Sequence, residues 1–153
     1  MGSYLNPGNI EFQESLNSKI YIDKTGLIEY TNRVLNTTQA FICNSRPRRF
    51  GKSITADMLT AYYSIGADSK EMFQGLSIAS SKDFATHLNQ YQVIHLDIQW
   101  CMQAVGSAEK VIDYITKNTI CELRKLYPNC LTSEIHSLPD ALSLINADSG
   151  KKF

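Results

Sequence analysis

The sequence predicts an α/β fold, a three-layer sandwich with a mainly parallel sheet covered by helices on both faces. Three observations carry this expectation. Short apolar runs of strand length alternate with segments whose apolar residues recur at helical spacing. One run, Gln39-Ala40-Phe41-Ile42-Cys43, is nearly continuous, as a strand buried on both faces requires. An amphipathic segment then follows it after a loop rich in arginine, the order of a parallel strand and its crossover helix.

The elements follow in chain order. Residues 1–18 contain Pro7, Gly8 and several asparagines and are expected to be an extended lead-in, with the domain proper spanning 19–153. Lys19-Ile20-Tyr21-Ile22 is a short strand candidate. Thr25 stands where it would cap a helix over 26–35, although Gly26 disfavours that helix. Beyond the buried strand at 39–43, Ile54, Met58, Ala61 and Ile65 lie on one helical face, and Gly66 is placed to end that helix. Residues 69–76 and 81–90 read as short helices. Val93-Ile94-His95-Leu96-Asp97-Ile98 is a second strand with Ile94, Leu96 and Ile98 on one face. Residues 107–127 form the longest helix, with Glu109 near its start, Lys125 near its end and Pro128 just beyond. A last helix covers 138–145.

Composition narrows the function classes. The chain has 153 residues, with 15 Lys plus Arg against 15 Asp plus Glu, so a generally basic surface for nucleic acid or anionic lipid is disfavoured. Hydrophobic residues at 43% and charged residues at 20% suit a folded domain. No apolar run approaches the ~18 residues of a membrane span, and the start lacks the features of a signal peptide. A cytoplasmic protein with no membrane partner is expected. Cys43, Cys101, Cys121 and Cys130 form no C-x-x-C, and His87, His95 and His136 no H-E-x-x-H, so a structural metal or disulfide framework is not expected.

The chemistry concentrates in Ser45-Arg46-Pro47-Arg48-Arg49-Phe50-Gly51-Lys52-Ser53. A phosphate-binding loop needs N–H groups at a helix N-terminus, a glycine for close approach, a lysine for the negative charge and a hydroxyl for Mg²⁺. Gly51, Lys52 and Ser53 supply the last three in order. In the strict Walker A pattern, G-x-x-x-x-G-K-[ST], position 46 is glycine; here it is Arg46, and Pro47 removes one N–H. A bare G-K-[ST] arises by chance in about one chain of this length in ten, and its position between strand and helix lowers that chance. Arg46, Pro47, Arg48, Arg49, Phe50, Gly51, Lys52 and Ser53 are therefore the candidate nucleotide-binding residues of a P-loop NTPase-like fold. ATP and Mg²⁺ are the expected ligands, with Lys52 on the β/γ-phosphates and Ser53 on the metal. Arg46, Arg48 and Arg49 are three of the chain's five arginines. They either meet phosphate oxygens, form a solvated basic turn, or contact nucleic acid. Asp97, at the end of an apolar run, matches the aspartate that holds Mg²⁺ in P-loop ATPases, but no Glu follows it to polarise an attacking water.

Tyr21-Ile22-Asp23-Lys24-Thr25, then residues 45–53, then Met72-Phe73-Gln74-Gly75-Leu76 resemble the predicted AAA-ATPase-like family of bacteria and archaea. Tyr91-Gln92-Val93-Ile94-His95-Leu96-Asp97 resembles that family's next strand. The resemblance implies that Arg46 is a family feature, since members carry the arginine-rich variant of the loop. Full-length members resemble a P-loop ATPase followed by a helical region, many with a PD-(D/E)XK nuclease-like domain at the end. Their Mg²⁺ carboxylates lie in an apolar strand followed by Asp-Glu, which Lys151-Lys152-Phe153 resembles at its opening. By that resemblance the chain is expected to be an N-terminal fragment that binds ATP and by itself hydrolyses little, and the full-length form a possible homo-oligomer and an NTP hydrolase. The alternatives are a nucleic-acid interaction module using Arg46, Arg48 and Arg49, or an assembly role in which ATP is a structural ligand.

Overall fold

The computed structural model describes residues 2–45, 47, 49–131 and 134–153. The helices are α1 (Ile10–Leu16), α2 (Gly26–Val34), α3 (Lys52–Tyr63), α4 (Phe84–His87), α5 (Ile98–Val105), α6 (Ala108–Leu126) and α7 (Leu138–Ser149), with 3₁₀ turns at Lys70–Phe73 and Ser77–Ser80. The described residues are helical, and the expected parallel sheet is not there. Their only β pairing is two isolated bridges, Leu5 with Ile94 and Ser64 with Tyr91.

The correction has a physical basis in each expected strand. An apolar run becomes a buried strand only if neighbours pair its N–H and C=O groups and layers cover both faces. Residues 39–43 have neither among the described residues: Phe41 is 97% exposed, and Ile42 and Cys43 are exposed as well. Ile20 and Ile22 are likewise exposed rather than in a sheet. In the third run, Ile94 makes one bridge, and Ile98 already belongs to a helix. Periodicity reports apolar spacing within a segment; it carries no information about the partner that a strand requires.

The described chain divides into two compact units. In Gly8–Tyr91, the core is Phe12, Ile28, Met58, Ala61, Tyr62, Phe73 and Ile78. α1 packs on α3, and Phe12 stacks on Phe73 with ring centroids 5.2 Å apart, while Tyr62 meets Phe73 edge-on at 5.4 Å. Each such buried ring removes enough apolar area from water to stabilise the unit by about 2–3 kcal/mol. The helix at Ile10–Leu16, within residues expected to be extended, exists because Phe12 is fully buried in this core. Tertiary burial outweighs the Pro, Gly and Asn content around it.

The other unit comprises Gln92–Phe153 with the first residues of the chain, up to Pro7. α6 packs against both α5 and α7. Ile115, Thr119, Ile120 and Leu123 form the buried stripe of α6, and Ile120 and Leu123 join Leu5, Leu131, Ala141 and Ile145 in one cluster. The Glu122 carboxylate accepts the backbone N–H groups of Ser3, Tyr4 and Leu5 at 2.9, 3.0 and 2.8 Å, tying the chain start to α6. Among the described residues, no helix is long and apolar enough to cross a membrane.

Candidate phosphate-binding site

Within the Gly8–Tyr91 unit, α3 starts at Lys52 because Gly51 takes the left-handed conformation, φ 73° and ψ 36°. That geometry is inexpensive for glycine alone. The Gly51 carbonyl then accepts both the N–H and the hydroxyl of Thr55, at 3.0 and 2.9 Å, which fixes the first helical turn. Among the described residues no side chain caps α3, and its first turn holds no acidic residue, whereas α1, α2, α6 and α7 carry Glu11, Glu29, Glu109 and Asp140 there. The positive end of the α3 dipole thus lies beside a lysine, an arrangement that an anion would stabilise.

The preceding loop folds around that end. Phe50 N–H donates to the Pro47 carbonyl at 3.4 Å, and Arg49 is itself left-handed at φ 67°. Lys52 Nζ folds back to donate to the Pro47 carbonyl at 3.3 Å. Ser53 is exposed in the first turn of α3, and Pro47, Arg49 and Phe50 are exposed in the loop. Arg46 and Arg48, the two other arginines expected to contribute, lie outside the described residues.

Lys24, which the spacing of the motif does not reveal, also reaches this loop. Its Nζ donates to the Phe50 carbonyl at 3.1 Å, and a Cβ placed on Gly51 would lie 2.4 Å from that nitrogen. Lys24 is held from behind by its neighbours. Asp23 accepts the Thr25 N–H and hydroxyl at 2.8 and 2.7 Å, and the Ser77 N–H and hydroxyl at 2.8 and 2.7 Å. Partial desolvation pushes the Asp23 carboxyl upward. The Ser77 N–H and the other three donors outweigh it and hold the group at about 2. Thr25 does not cap α2 as expected; its buried hydroxyl instead accepts the Ile78 N–H at 3.1 Å. The one available signal was the Asp-Lys-Thr string itself, because the contact joins residues 24 and 51, far apart in sequence.

Asp97 belongs to the other unit. Its Oδ1 accepts the Trp100 N–H at 2.9 Å as the N-cap of α5. No group of three or more His, Cys, Asp or Glu side chains gathers among the described residues. The donors near Gly51 suit a multiply charged anion: two lysine ammoniums and a helix end that no described side chain caps. Ser53 offers one hydroxyl oxygen, compatible with Mg²⁺ when phosphates and water complete its shell.

A family model described as predicted AAA-ATPase matches residues 10–152 of the chain. No curated protein and no solved structure matches it significantly.

Proposed function

We propose, from the premise that this chain belongs to the AAA-ATPase-like family of predicted AAA-ATPases, that its loop at residues 46–53 binds the phosphates of ATP. The observation that carries this reading is the start of α3: a left-handed Gly51, a helix end that no described side chain caps, and Lys52 in a first turn without an acidic residue. N–H groups around Gly51 and Ser53 would donate to phosphate oxygens, and Lys52 would exchange its contact with the Pro47 carbonyl for the β/γ-phosphates. Mg²⁺, when bound, neutralises phosphate charge, and the Ser53 hydroxyl is the group of this loop that would hold it.

Binding and turnover separate in this reading. In it the loop holds the anion, whereas Asp97, the candidate Mg²⁺ aspartate, accepts the Trp100 N–H as the N-cap of α5. The chain is expected to bind Mg-ATP and to hydrolyse it slowly at most. Titration of the chain with a fluorescent ATP analogue in Mg²⁺ tests the assignment. Saturable binding, displaced by ATP and lost in Lys52→Ala, supports it. Equal binding by wild type and Lys52→Ala overturns it, as does association with DNA that weakens steeply with salt and ignores ATP.

A further inference from the structure

The loop is served by a lysine from outside its own motif. Resting on the nucleotide-binding reading above, we propose that Lys24 is a second phosphate-binding lysine of this site, delivered from the start of α2. Three observations converge on it.

The first is position. Lys24 Nζ lies where a side chain on Gly51 would otherwise extend, and it donates to the Phe50 carbonyl at 3.1 Å. The glycine that lets a phosphate approach the backbone therefore also admits an ammonium to the same space. The second is anchorage. The Lys24 carbonyl accepts the Leu27 N–H at 3.0 Å, and the flanking Asp23 and Thr25 are joined to Ser77 and Ile78 by three hydrogen bonds. The backbone of Lys24 is held by its neighbours while its flexible stem spans to the loop, which limits the conformational entropy lost when the ammonium engages a ligand.

The third is charge. Lys24 and Lys52 both direct ammonium groups to carbonyls of one short turn, at Phe50 and Pro47. Arg49 lies in the same turn, and among the described residues Lys24 makes no ion pair. Like charges gathered at one turn repel, and an anion between them converts that repulsion into attraction. A lysine is suited to the exchange, because its compact charge on a four-carbon stem can pass from a carbonyl to a phosphate oxygen without rearranging the backbone.

The test compares Lys24→Met, Lys24→Gln and Lys24→Arg with wild type and Lys52→Ala, reading Mg-ATP affinity by calorimetry and folding by thermal melting. Met removes charge and donor; Gln removes the charge but keeps a donor for the Phe50 carbonyl; Arg keeps the charge. The proposal predicts roughly tenfold weaker Mg-ATP binding in both Met and Gln variants and a loss within about threefold in the Arg variant. It also predicts a Lys24→Gln melting temperature close to wild type without ligand. Wild-type affinity in a folded Lys24→Gln would overturn the proposal and leave Lys24 a structural brace. Should Lys24→Met fail to fold, the Gln and Arg variants decide. The two readings fail separately. Absence of Mg-ATP binding by wild type defeats the nucleotide assignment itself, whereas binding that needs Lys52 but ignores Lys24 defeats only this inference.

Discussion

Two helices of this molecule begin in opposite ways. α5 starts at Asp97, whose carboxylate accepts the Trp100 N–H and so meets the helix's need for an acceptor from within the chain. α3 starts at a left-handed glycine followed by lysine, with no capping side chain among the described residues. Both follow apolar runs that read as strands, and both resemble the strand-end sites where nucleotide-binding folds hold their ligands. A helix end already filled by its own carboxylate has little to offer an anion. One that no described side chain caps, beside two lysines, suits an anion. That difference, rather than the apolar runs, separates the candidate site from a cap.

The largest expected effect is at the open end. Lys52→Ala should weaken Mg-ATP binding on the order of a hundredfold, measured by calorimetry, with the fold retained. Next is Asp23→Asn, which breaks the set of donors behind Lys24. It should lower stability by about 1–2 kcal/mol in urea unfolding at neutral pH. The sign of its pH dependence follows from the depressed carboxyl, about 2 against an ordinary 3.8. The stabilisation is fully present above the ordinary value and is lost as pH falls through the folded one. Wild type should therefore lose its advantage over Asp23→Asn between about pH 4 and pH 2.

Gly51→Ala should cost about 1 kcal/mol through its left-handed backbone alone. It should also weaken ATP binding severalfold, because the new methyl enters the space beside Lys24 Nζ. The smallest effect is at the closed end. Asp97→Ala removes a cap worth about 1 kcal/mol and should leave Mg-ATP affinity unchanged. A loss of Mg²⁺-dependent binding in that variant would show Asp97 to be more than a cap and erase the contrast between the two helices.

How much of this was legible in the sequence depended on whether the information was local. α6 runs 108–126 where Glu109, Lys125 and Pro128 predict 107–127, because every determinant lies within or next to the segment. α2 and the start of α7 were readable for the same reason. The runs at 39–43 and 93–98 were misread as strands, since strand formation is decided by partners elsewhere in the chain, and Asp97 could equally cap a helix as end a strand. Gly51, Lys52 and Ser53 stand out as candidates in the sequence because the chemistry they imply is contiguous. Lys24 does not, because its contact with the loop arises only when the start of α2 is folded onto it.

The contrast between the two helix ends is tested most directly by following backbone amide resonances while the chain is titrated with Mg-ATP. The account predicts large, saturable shifts at Gly51, Lys52 and Ser53, with the Trp100 amide unmoved. Shifts centred on Trp100, or none around Gly51 at saturating nucleotide, would contradict it.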